Sequence, residues 1–229
     1  MKTIGMLGGM SWESTALYYR LINEETRRLR GGLHSAPIAL VSVDFQAVEQ
    51  LQSADAWTEA GDLLAARARE VEAAGADFLL ICTNTMHRVA AQVEAAIDIP
   101  LLHLADATAT RIRAAGLTRI GLLGTRFTME QDFYRGRLQA QGIEVLTPDA
   151  AAREIVHRVI YDELCLGEVR EDSRTQYLHI IDDLAEQGAE GVIEGCTEIG
   201  MLIEQTHTDV PLFDTTRIHA QEAVARALA

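Results

Sequence analysis

Residues 75–85 read G-A-D-F-L-L-I-C-T-N-T, and residues 188–198 read G-A-E-G-V-I-E-G-C-T-E. The two stretches align without a gap. Two more matches flank them in the same order. Ile4, Gly5, Leu7, Gly8 and Tyr18 fall on Ile120, Gly121, Leu123, Gly124 and Tyr134, and D-I-P-L-L at 98–102 falls on D-V-P-L-F at 209–213. The offsets are 116, 113 and 111 residues, so the register drifts only slightly along the chain. Three collinear matches constrain the fold strongly: one supersecondary unit is used twice, which predicts two halves of similar architecture.

Within each half, short apolar runs alternate with helical periodicity. The runs at 3–7, 37–43, 77–82, 100–104, 119–123, 142–146, 190–194 and 210–213 read as strands. The stretches 13–29, 57–74, 105–115, 129–140 and 173–187 carry apolar residues at helical spacing. Strands alternating with helices predict an α/β fold with parallel sheets covered on both faces. The expected division is a first α/β domain from 1–98 plus 210–229 and a second from 99–209. Ligands in such folds sit beyond the carboxyl ends of strands. The expected site is therefore a cleft between the halves, lined by G-G-M-S-W-E-S-T, C-T-N-T-M-H, G-T-R-F-T and G-C-T-E.

Composition removes several function classes. The net charge of −14 disfavours nucleic acid and anionic membrane surfaces as partners. No apolar run approaches the roughly 20 residues that span a bilayer. The short apolar segment at the N-terminus does not read as a secretory signal. Three widely spaced cysteines, Cys82, Cys165 and Cys196, argue against a disulfide framework and fit a reducing cytoplasm. Lys2 is the single lysine, at the start of the first strand. A pyridoxal phosphate Schiff base and a Walker P-loop both need a lysine in a site, so both are disfavoured. G-G-M-S lacks the G-x-G-x-x-G spacing of a dinucleotide turn, and the seven histidines show no close metal-ligand spacing.

The repeat also selects residues. Thr83 falls on Cys196, while Cys82 falls on Gly195. Side chains alternate faces along a strand. Thr83 and Cys196 are thus equivalent, and Cys82 points the other way, as a small buried hydrophobe. His87 follows Thr83 by four residues and reads as packing or as support behind the site. Cys165 has no repeat partner and reads as packing.

G-G-M-S near the N-terminus, T-N-T-x-H in the first half, L-L-G-T in the middle and G-C-T-E in the second half resemble the aspartate/glutamate racemase family across essentially the whole chain. The resemblance implies two pseudosymmetric domains, a small amino-acid substrate held between them, no cofactor and no metal. It also implies that a C-terminal helix at 215–228 returns to the first domain. Members are often dimers, although the sequence displays no interface of its own. The implied chemistry is two-base inversion at the α-carbon. One group removes the α-proton and the other delivers a proton to the opposite face. A thiol, with an ordinary pKa of about 8.5, suits that task. Ser11, Asn84, Thr85, Thr125, Thr128 and Thr197 are the donors available to stabilise the carbanion through the substrate carboxylate, and Met10 and Trp12 are expected to wall the pocket.

Two departures matter. Most members place cysteine immediately before N-T, where this chain has Thr83. The catalytic pair becomes Thr83 and Cys196, and the two directions of racemisation are expected to differ in rate. Glu198 either polarises Cys196, binds the substrate ammonium, or is a solvated carboxylate at a helix start. The arginine and lysine with which aspartate-specific relatives grip a distal carboxylate are both missing. Gln46 and Gln52 are candidate neutral donors in that role, and Cys165 occupies the lysine position. Glutamate or aspartate remains the first expectation for substrate, with a broader range open. Another reaction of the superfamily, of maleate isomerase or decarboxylase type, and a non-catalytic amino-acid binder are the alternatives.

Overall fold

The computed structural model describes all 229 residues. The chain runs β1 (Ile4–Gly8), α1 (Trp12–Arg30), β2 (Ile38–Ser42), α2 (Phe45–Ser53), α3 (Trp57–Ala73), β3 (Phe78–Ile81), α4 (Ala90–Glu94) and α5 (Leu104–Ala114). It continues through β4 (Arg119–Gly124), α6 (Arg126–Glu130), α7 (Asp132–Gln139), β5 (Glu144–Leu146), α8 (Ala150–Asp162) and α9 (Glu171–Glu186), and ends with β6 (Val192–Gly195), α10 (Ile199–Leu202), β7 (Leu212–Asp214) and α11 (Thr215–Leu228). Two compact units result. The first comprises Met1–Leu104 with His219–Ala229, and the second Ala105–Ile218.

Both sheets are wholly parallel. The first has the order β2-β1-β3 and the second β5-β4-β6-β7. The repeat is visible here: β1 and β4 are the central strands, with β3 and β6 beside them. Parallel strands are covered on both faces, which is why β1 and β3 read as continuous apolar runs and why β1, β3 and β6 are buried throughout.

Two expected elements differ. The run at 100–104 forms only an isolated bridge, Leu79 to Leu101, where the second unit has the strand β7. Leu79 N–H donates to the Pro100 carbonyl and Leu102 N–H donates to the Leu79 carbonyl, and the pairing stops at those two backbone bonds. The helical stretch at 129–140 is two helices. Thr125 caps α6 early, and Gln131 takes an extended conformation (φ −95°, ψ 152°) between α6 and α7.

Each unit has its own core. In the first, Ala220, Ala223, Val224 and Ala227 of α11 recur at helical spacing and pack on Ile4, Met6, Tyr18, Ile22 and Leu80. The C-terminal segment is thereby built into that unit, and Lys2 N–H donates to the Ala227 carbonyl at 2.8 Å. In the second, α8 and α9 bury Val156, Val159, Tyr177 and Leu184 against Leu123 and Val192. The glycine pair after β1 is structural. Gly9 has φ +94°, and a Cβ there would run into the Val43 backbone. A Cβ on Gly8 would overlap Thr15, whose Oγ1 accepts the Gly9 N–H at 2.7 Å.

Candidate active site

The carboxyl end of β3 is a buried run with one opening. From Phe78 to His87 every residue is buried except Thr83. The corresponding end of β6 behaves alike: 191–195 are buried, and Cys196 is the first half-exposed residue, followed by Glu198. The two positions that the repeat equates are therefore the accessible ones in their own units. Cys82, one residue earlier, is sealed in the core beside Leu80 and Val224. Its burial pushes the thiol pKa far up, so it has no thiolate to offer near neutral pH.

The thiol of Cys196 donates to Glu198 Oε2 at 3.0 Å. Burial raises the Cys196 pKa well above the usual thiol range, with further contributions from the Glu198 carboxylate and from Cys165. The resting state is thus a protonated thiol bonded to the Glu198 carboxylate. Glu198 stands at the start of α10. The reading of Glu198 as a mere solvated carboxylate is set aside by that contact. Replacing Glu198 with glutamine removes the negative charge and is expected to lower the Cys196 pKa. The pH dependence of iodoacetamide labelling at Cys196, followed by peptide mass spectrometry, should then move to lower pH. A midpoint that stays or rises would contradict the effect assigned to the carboxylate's charge.

The remaining candidates divide into those held by their own local structure and those near the two strand ends. Ser11 N-caps α1, its Oγ accepting the Ser14 N–H at 3.2 Å. Thr125 N-caps α6, and its Oγ1 lies 3.3 Å from that of Thr128. Met10 is 4% exposed and belongs to the first core, whereas Trp12 is 68% exposed. Gln52 is buried, its Nε2 donating to Met86 Sδ at 2.8 Å, and Gln46 lies at the exposed start of α2. Asn84 and Thr85 follow Thr83 directly and are buried, as is Thr197 after Cys196. Cys165, in the short turn Leu164–Leu166, packs against the second core alongside Cys196.

Three functional-looking residues escaped the reading of the sequence. Glu163 is 3% exposed, accepts from Ser173 Oγ at 2.6 Å, and takes the Leu166 N–H on its carbonyl, so it fixes the turn carrying Cys165. Glu194 is a buried carboxyl within β6. Its signal was available, as one charged residue inside an otherwise apolar strand. His219 is fully buried in α11 and bonds to Tyr18, 201 residues away, a pairing no local pattern could reveal.

Two parallel α/β units, each ending its second-row strand in a threonine- or cysteine-bearing turn, form an architecture shared with known isomerases. A sequence model of the Asp/Glu/Hydantoin racemase family matches residues 7–223. A proposed Asp/Glu racemase from Yersinia pestis is 54% identical over the full length of both chains, with a TM-score of 0.95. An aspartate racemase homologue from Pyrococcus horikoshii is 32% identical over the full length of both, with a TM-score of 0.87. The broad specificity amino-acid racemase RacX of Bacillus subtilis is 24% identical over 70% of this chain and 69% of its own. The chain belongs to the Asp/Glu/Hydantoin racemase family, and its enzyme class is that of the isomerases.

Proposed function

We propose that this protein racemises α-amino acids by two-base proton transfer with Cys196 and Thr83 as an unequal pair. The observation that carries the reading is the parallel between the two strand ends, where the first opening after β3 is a hydroxyl and the first after β6 a thiol. Glu198 takes the thiol proton, and the thiolate then removes the α-hydrogen. The carbanion receives a proton on its opposite face from the Thr83 hydroxyl. Solvent reprotonates Thr83, and Glu198 returns its proton to solvent, so the cycle balances. A hydroxyl readily hands a proton to a carbanion but is a poor base, because its own proton must first be lost. Cys196 is therefore the competent base.

The substrate reading shifts toward breadth. Neither cation that would grip a distal carboxylate is present, and one N–H of the buried Gln52 amide is turned to Met86 Sδ. A substrate whose side chain needs no second carboxylate fits these residues, in line with the broad specificity of the Bacillus subtilis relative. Glutamate and aspartate belong in the tested range.

The test is D/L conversion across a panel of amino acids in deuterium oxide. L and D forms are equally stable in solution, so kcat/KM must match in the two directions. The inequality instead appears as exchange without inversion. The enantiomer whose α-hydrogen faces Cys196 is expected to wash in deuterium with retention about tenfold faster than its mirror image. Equal exchange from both enantiomers would sink the unequal pair, and binding without any exchange would leave a non-catalytic binder.

A further inference from the structure

Aligning the two strand ends by the repeat exposes a difference in how they are supported. Thr83, Asn84, Thr85 and His87 correspond to Cys196, Thr197, Glu198 and Gly200. The thiol half has a carboxylate that touches its reacting group. The hydroxyl half has instead an imidazole, and the other half has glycine at that place.

That imidazole is fully committed. His87 Nδ1 lies 2.8 Å from the Thr83 carbonyl oxygen, which can only accept. Nδ1 therefore carries the hydrogen. His87 Nε2 accepts the backbone N–H of Leu104 at 3.3 Å, so it is bare, and the ring is neutral. A second histidine grips the same short segment from the other side. His219 Nε2 donates to the Leu102 carbonyl at 2.8 Å, and its Nδ1 accepts from Tyr18 Oη at 2.9 Å. Burial, with a smaller effect from His87, lowers the His219 pKa to about 3, so this ring also stays neutral. His87 lies 4.5 Å from His103 and 6.0 Å from His219 between ring centroids, and all three rings are at least 97% buried. Both nitrogens of His87 and His219 are spent on hydrogen bonds, which leaves neither of these two rings a lone pair for a metal. On the near side of Thr83, Ser14 Oγ donates to the Cys82 carbonyl at 3.0 Å. Side chains thus hold two successive carbonyls, those of Cys82 and Thr83.

We propose that His87 is a positioning residue for Thr83, fixing its peptide so that the hydroxyl presents to substrate, with the Leu102–Leu104 segment as the anchor against which it braces. A hydroxyl has less tolerance for misplacement than a thiol, because it is smaller and a poorer acid, so the half that carries threonine is the half that needs the brace. This role rests on the reading of the chain as a two-base racemase.

Two variants separate the halves of the contact. Asparagine places a donor near the former Nδ1, whereas glutamine reaches the former Nε2. H87N should keep kcat within about threefold, while H87Q should lose about tenfold or more in kcat with KM within about twofold. Retention exchange from the enantiomer facing Cys196 should be unchanged in both variants. A fall in both enantiomers' exchange, or no fall in H87Q, overturns the proposal. A readout independent of turnover is the imidazole nitrogen spectrum of the wild-type protein, expected to show His87 protonated at Nδ1. Protonation at Nε2 also overturns the proposal. A wild-type protein that shows the Nδ1 form but exchanges no amino acid would overturn the racemase reading and leave the hydrogen-bonded brace standing. In that event the Thr83 carbonyl carbon shift should move in H87Q and not in H87N, and a shift unmoved in both would remove the brace as well.

Discussion

Cys196→Ala is expected to lower kcat for racemisation by about 10³-fold, with the alanine protein still folded. The residue is the sole accessible thiol at a strand end, and no other group in its unit duplicates it. Cys82 is sealed in the first core, and Cys165 packs in the turn before α9. The cost follows from what is lost. General acid or base catalysis contributes about 10²–10⁴-fold, and here the missing group is the stronger base of the pair. The folded state should suffer little, since Cys196 lies at the edge of the second core, partly buried, and alanine removes a single sulfur atom. Cys196→Ser sharpens the test. Serine would match Thr83 and make the pair equal but weak, so retention exchange should fall to a similar low rate for both enantiomers. Full activity in Cys196→Ala would place the base elsewhere and undo the proposed mechanism.

The second large effect concerns stability. Glu194 is 5% exposed in β6, its Oε1 finds no hydrogen-bond partner, and Asp214 sits opposite it on β7. Loss of solvation pushes its pKa up to about 8, Asp214 and Glu204 add to the rise, and Arg217 opposes it. The sign is clear. The folded protein holds this proton to higher pH than the unfolded chain, whose carboxyl titrates near 4.5. Between those values the folded state binds more protons, so stability falls as pH rises, and the full penalty is present above the folded pKa. Glu194→Gln keeps the shape and removes the titration. The stability gap between the variant and the wild type is expected to widen by about 3 kcal/mol from pH 5.5 to 8.5. Urea midpoints followed by circular dichroism at several pH values would measure it. A gap that stays constant across that range would mean the carboxyl is solvated or paired when the protein is free in solution.

Much of the fold was legible because parallel strands leave a simple mark. Runs such as F-L-L-I at Phe78–Ile81 and V-I-E-G at Val192–Gly195 lie within the expected strands or within two residues of them. The internal repeat added what single strands cannot, namely which residue at each strand end is equivalent to which. It equates Thr83, not Cys82, with Cys196, and Cys82 is buried. Boundaries were less legible where one residue's chemistry overrode a pattern. Thr125 caps a helix that starts three residues before the periodicity suggested. The supporting groups were the least visible. The partner of His219 is Tyr18, and that of His87 is the backbone of Leu104, so neither contact leaves a trace in local spacing. Glu194 was visible as an oddity, but its meaning depends on what faces it across the sheet.

The first unit closes with residues 219–229, whereas the second is an unbroken stretch from 105 to 218. A ribosome emitting about 5–20 residues per second therefore delivers all of the second unit before the last strip of the first. For a time on the order of ten seconds, the apolar faces of Ile4, Met6, Tyr18 and Leu80 wait without Ala220, Ala223, Val224 and Ala227 to cover them. Continuity thus lets the half carrying the thiol close on its own residues, while the half carrying the hydroxyl needs a strip separated from it by the whole second unit. A released chain truncated after residue 218 is expected to show a protease-resistant second unit beside a cleavable first.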